Sequence, residues 1–160
     1  DVVSFGATPA LFVHGAAREA YGPLGELDPT FRIGLVLVAS SFVVFSVVRT
    51  AFYTVYVDEG EQRPGIQNTL AATILAAGYL AGVAPVSVLL AGTVVLSALM
   101  VAPVGDPKLR ARDALVLGLV QAVVIVDPSL LGRVFPRVLL ASAVAYLLLA
   151  PRYYWGESDS

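Results

Sequence analysis

Arg49 is the side chain of this sequence most able to do chemistry at depth, because it is a guanidinium inside the otherwise apolar run of residues 33 to 57. An ionisable group in such a run is expensive to bury, so by default it marks a buried partner, a bound anion or a transported species. A structural reading competes and suits its position better. Arg49 stands roughly 12 Å from the end of the run at 1.5 Å per residue, close enough for its head to snorkel to a polar boundary beside Tyr53 and Tyr56. Replacement by Lys and by Leu separates the two readings, since an anchor needs reach whereas bidentate pairing needs the planar fork.

Two further residues are candidates for transport or ligand binding. Gln121 is the only polar side chain deep in the apolar segment 114 to 126. Asp127 ends that segment and precedes Pro128, which suits the N-cap of a short interfacial helix over residues 128 to 132; the alternative is a carboxylate that holds a proton or a cation. A third set, Lys108, Arg110 and Arg112, forms the densest basic cluster of the chain and is the candidate for contact with anionic lipid headgroups.

Other chemistry is limited by what is missing. The chain has no cysteine, which removes disulfides, thiolate zinc sites and iron–sulfur clusters. Its one histidine, His14, cannot supply two axial haem ligands or a zincin His pair, and is read as a helix residue. There is no Gly-rich phosphate loop ending in Lys-Ser/Thr and no nucleophile elbow, nor the paired Asp-rich motifs of membrane prenyltransferases and CDP-alcohol transferases. No cofactor or metal is expected. A net charge of -2 gives no footprint for nucleic acid.

The elements that must position these residues follow from hydropathy. Of 160 residues, 58 % are hydrophobic and 14 % charged, and the mean hydropathy is +0.81; ordinary domains carry roughly 45–50 % apolar and about 25 % charged residues. So small a body cannot bury that excess inside itself, and a bilayer is the natural solvent. Residues 64 to 105 contain no charge at all. As one helix they would run roughly 60 Å, twice the roughly 30 Å hydrocarbon core, so they must fold back, and Gly82-Val83-Ala84-Pro85 is the break.

This pattern predicts an all-α protein, a single transmembrane domain over residues 1–160, with spans at 33 to 57, 67 to 83, 85 to 104, 114 to 126 and 134 to 150. The stretch 2 to 17 is a sixth span or a re-entrant helix, and no signal peptide is expected because no basic segment precedes it. The six pair into three helical hairpins, whose second helices follow Pro29, Pro85 and Pro136; chance matches among Val, Leu and Ala explain that similarity as well as internal duplication does. The pairs Ala72/Ala76 and Gly78/Gly82 make a small-residue face for close helix packing.

The positive-inside rule places residues 105 to 113, with Lys108, Arg110 and Arg112, in the cytoplasm. Six spans then leave both termini there. The expected location is the cell membrane, the expected partners are lipids and copies of the chain or other membrane subunits, and the expected role is a non-enzymatic packing or accessory subunit. A small transporter or channel is the alternative, with Gln121, Thr73, Thr93, Ser97 and Arg49 around one path. A membrane enzyme acting on lipids is the third, with Arg49 and the 108–112 cluster as headgroup binders.

Overall fold

The computed structural model describes residues 2–56, 65–103 and 111–153, and among these the regular structure is all helical. Six α-helices follow one another: α1 (Thr8–Tyr21), α2 (Pro29–Tyr56), α3 (Asn68–Leu80), α4 (Val86–Val101), α5 (Ala111–Val126) and α6 (Leu130–Tyr153). A π-helical turn (Val3–Ala7) leads into α1, and a single 3-10 turn (Leu24–Glu26) precedes α2. Helix α2 starts where Asp28 accepts a hydrogen bond from the Thr30 N–H at 2.9 Å, a side-chain cap on the free amides of its first turn.

The charge-free stretch does fold back at the expected place. Helix α3 ends at Leu80, Gly82 takes φ +64°, and α4 opens after an extended Pro85. Among the described residues, Pro29–Phe52 of α2 and Leu130–Leu149 of α6 are long and apolar enough by length and composition to cross a bilayer; Asn68–Leu80, Val86–Val101 and Leu115–Val126 are apolar but shorter. At 1.5 Å per residue α3 is roughly 20 Å long. Both its ends are buried, with Ile66 and Asn68 at one and Ala81 at the other.

Contacts between ends establish the direction of each helix. The Asn68 amide at the start of α3 reaches Ser46 on α2, and the Ile66 N–H donates to the Leu99 carbonyl at the end of α4. At the opposite end Tyr79 meets Glu19 of α1, and Gly82 lies against Arg133. Successive helices therefore alternate in direction. The turns at 22–28, 81–85 and 127–133 share one end of the bundle, and the chain starts from the other.

Each consecutive pair packs together, α1 on α2, α3 on α4 and α5 on α6, but the broadest contacts cross between pairs, α2 against α4 and α3 against α6. Leu35, Ala39, Phe42 and Ser46 form the inner row of α2, and Leu89, Thr93, Leu96 and Met100 that of α4; all are buried and spaced alternately by four and three. Around α3, Ala71 and Leu75 join Val13, Phe42, Leu96 and Met100 in one core, while Ala77 joins Val124 and Leu139 in a second. Gly78 lets Leu89 approach, since a Cβ there would lie 3.4 Å from its Cδ2.

The short helix expected over residues 128 to 132 is absent. Leu131, Gly132 and Arg133 instead take φ of 51°, 67° and 66°, a left-handed turn that precedes the right-handed part of α6. For Leu131 and Arg133 this conformation costs about 1–2 kcal/mol each. The turn is held by Ser129, whose carbonyl accepts from the N–H groups of Gly132 and Arg133 at 3.0 and 3.4 Å.

Candidate functional site

The expected polar residues separate into different places. Thr93 and Ser97 are buried on α4 and donate to its own carbonyls, Leu89 at 2.7 Å and Thr93 at 2.6 Å. Their hydroxyl hydrogens are used within the helix, and neither residue lines the cavity that holds Thr73 and Gln121. Thr73 and Gln121 do come together, in a cavity of about 220 Å³ between α3, α5 and α6. Gln67, Thr69 and Tyr146 complete its polar lining over an apolar floor of Leu117, Leu139 and Ala143.

Each wall of this cavity has a local reason. Gln67 is extended and precedes α3, so Thr69 and Thr73, one turn apart, present hydroxyls on the same flank of that helix. The Thr69 hydroxyl donates to the Gln67 side-chain oxygen at 3.3 Å. On α5, Gly118 beside Gln121 removes side-chain bulk from the opening. Gln121 is exposed, and among the described residues no hydrogen bond reaches its amide or the Thr73 hydroxyl. Among the described residues the lining carries no formal charge, and it offers amide and hydroxyl groups that both donate and accept.

Arg49 lies elsewhere. It is the next position after Leu35, Ala39, Phe42 and Ser46 on the inner row of α2, it is half-buried, and its Nε is buried. A half-buried stem is shared by an anchor at a polar boundary and by a paired guanidinium. Lys keeps the charge but has no group in the place of Nε. Arg49→Lys should therefore lower the thermal midpoint in detergent, and Arg49→Leu should lower it further. A Lys variant as stable as the parent would show a snorkelling anchor.

Asp127 belongs to a turn. Its Oδ1 accepts from the Ser129 hydroxyl at 2.6 Å and the Ser129 N–H at 2.9 Å, and these bonds, the hydroxyl first, hold the carboxyl below the usual carboxylate range. The geometry is an Asx turn that stays ionised, and it orders the chain ahead of the left-handed segment. Lys108 and Arg110 lie outside the described residues, and Arg112 sits on the first turn of α5.

Two arrangements escaped the sequence reading. At one level Asn68 Nδ2 donates to Ser46 Oγ at 2.9 Å between α2 and α3, with both residues buried; Gly6 of the π-helical turn packs on the same hydroxyl, where a Cβ would lie 2.8 Å from Oγ. At the far end the Tyr79 hydroxyl donates to Glu19 at 2.7 Å and its ring stands edge-on to Phe12 at 5.2 Å. The Arg133 guanidinium covers Gly82 there, tying the turn after α3 to the turn before α6. Among the described residues, no three of His, Asp and Glu gather as a metal would require.

No protein-family model, no curated protein and no solved structure matches this chain.

Proposed function

We propose that this chain is a multi-pass integral protein of the cell membrane, a non-enzymatic packing subunit that sits beside copies of itself or other membrane subunits. The observation that carries this reading is the exposure of many large apolar side chains around an apolar core that also holds four buried polar ones. Ile33, Leu37, Val44, Leu115, Leu119, Ile125 and Leu148 are exposed, whereas Ser46, Asn68, Thr93 and Ser97 are buried. Water would penalise that outer surface; hydrocarbon accepts it, provided polar groups are satisfied inside. All six helices then cross or enter the bilayer, with α2 and α6 as full-length crossings and short α3 enclosed by its neighbours.

The basic cluster Lys108, Arg110 and Arg112 supports a cytoplasmic position for the loop between α4 and α5. The turns at 22–28, 81–85 and 127–133 then face outward. A transporter or channel is the second reading, favoured by the one cavity that unites Thr73 and Gln121. Against the third, a lipid enzyme, stands the scatter of Arg49 and Asp127 over separate levels, with no acid–base pair formed between them.

The absence of native cysteine makes the topology directly testable. Gly25→Cys is exposed with open space at its Cβ, and Ala111→Cys lies at the opposite end. In intact cells a membrane-impermeant maleimide should label Gly25→Cys, and Ala111→Cys only after permeabilisation. Both should remain in the pellet after alkaline carbonate extraction. Labelling of both from outside would overturn the crossing pattern, and release by carbonate would overturn membrane integration.

A further inference from the structure

We propose that the cavity between α3, α5 and α6 binds the uncharged, hydrogen-bonding head of a neutral lipid that enters sideways from the bilayer, such as a diacylglycerol. The inference rests on the membrane reading above and adds a ligand class to it. In hydrocarbon, a backbone or side-chain polar group without a partner is costly, and a primary amide has two donors and an acceptor to satisfy. Gln121 is exposed at the mouth of the cavity, and no hydrogen bond among the described residues reaches it or Thr73. An occupant that both donates and accepts resolves both groups at once.

Charge and size narrow the occupant. Gln67, Thr69, Thr73, Gln121 and Tyr146 bring amides and hydroxyls, and among the described residues no lining side chain is cationic or anionic. A phosphodiester head would therefore enter without a counter-charge, at a desolvation cost nothing here offsets. The volume of about 220 Å³ is several times the roughly 30 Å³ share of one water, yet below the roughly 300–1,000 Å³ of sites that enclose a whole drug-sized ligand. It suits a headgroup whose chains stay outside, along the exposed Ala122 and Ile125 beside Gly118 and Gln121 on the same flank of α5.

Depth agrees. Thr73 stands roughly 7 Å inside the start of α3 and Gln121 roughly 15 Å inside the start of α5, and these two starts share one end of the bundle, so with Gln67 the polar groups form a ladder from that end into the apolar layer. A lipid head can follow it without leaving hydrogen-bonding contact.

The test is photolabelling of the purified protein in phosphatidylcholine liposomes with a diacylglycerol carrying a diazirine beside its glycerol. Label should concentrate on peptides covering residues 117–121 and 139–146, and unlabelled dioleoylglycerol should compete. Removing two hydrogen-bonding groups in Thr73→Val/Gln121→Leu should cut that label roughly ten-fold, with carbonate resistance unchanged. Should the double variant fail to reach the membrane, Gln121→Leu alone, on an exposed face, carries the comparison. Undiminished label in the variant, equal label at these peptides from a phosphatidylglycerol probe, or loss of a dimer in Gln121→Leu without lipid labelling each overturn the proposal. Extraction of the unaltered protein by carbonate removes it together with the membrane reading, and that result is distinct from a failure of labelling.

Discussion

Replacing Gly65 by Ala should lower the stability of the protein by about 3 kcal/mol, the largest loss expected from adding a methyl group at any of the described glycines. Gly65 takes φ +85°, and a Cβ there would collide with the carbonyl group of Met100. The left-handed conformation alone costs a residue with a Cβ about 1–2 kcal/mol. Overpacking adds a comparable amount, about 1–3 kcal/mol, because the obstacle is backbone at the end of α4 and cannot swing away. The displacement would also strain the neighbouring bond from Ile66 N–H to the Leu99 carbonyl, 3.1 Å long. In detergent the thermal midpoint should fall by on the order of 10 °C. Gly82→Ala is the informative comparison, since it shares the positive φ but meets only the tip of the flexible Arg133; its loss should be about 1 kcal/mol. Equal losses at the two positions would show that conformation, and not collision, sets the effect.

The second large effect is expected at the buried pair Ser46 and Asn68. Ser46→Ala removes the acceptor of the Asn68 amide, whose Oδ1 is already buried without a hydrogen bond. A buried group left unsatisfied costs about 1–3 kcal/mol. Denatured chains that remain in a membrane or micelle find other partners, which trims such values, so a loss of about 1–2 kcal/mol is expected. The double variant Ser46→Ala/Asn68→Leu should recover most of it, because removing both partners leaves nothing unsatisfied. A double variant less stable than the single one would mean that Asn68 is held by shape and not by its hydrogen bond. Bulk at position 46 is a poor alternative, since Gly6 packs directly on its hydroxyl.

These two sites also show where reading the sequence succeeds and where it stops. Helices and the break at 82–85 were legible because charge-free length and a Gly–Pro pair are local properties. Helix ends were less so: hydropathy continues through Val83 and Val104, whereas α3 stops at Leu80 because the chain turns under Ala81 and Gly82. The left-handed turn was illegible, as neither Leu131 nor Arg133 is a residue type that favours it. Gln121 and Thr73 stood out singly as polar groups in apolar helices. Their meeting with Gln67 and Tyr146 depends on α3 packing against α6, a contact distant in sequence. Ser46 was hidden among apolar neighbours, although its place on the row of Leu35, Ala39 and Phe42 would have pointed inward.

In a bilayer, the unequal lengths of the outer helices make the perimeter of this protein uneven. The apolar part of α2, Pro29–Phe52, spans 24 residues, roughly 36 Å, while that of α5, Leu115–Val126, spans roughly 18 Å. One hydrocarbon thickness of roughly 30 Å cannot match both. Lipid beside α5 has to thin while α2 tilts, at a fraction of a kcal/mol per ångström of mismatch. In the membrane setting proposed above, the molecule would act as a wedge in the lipid film, drawn toward thin regions and toward neighbours that cover its short side.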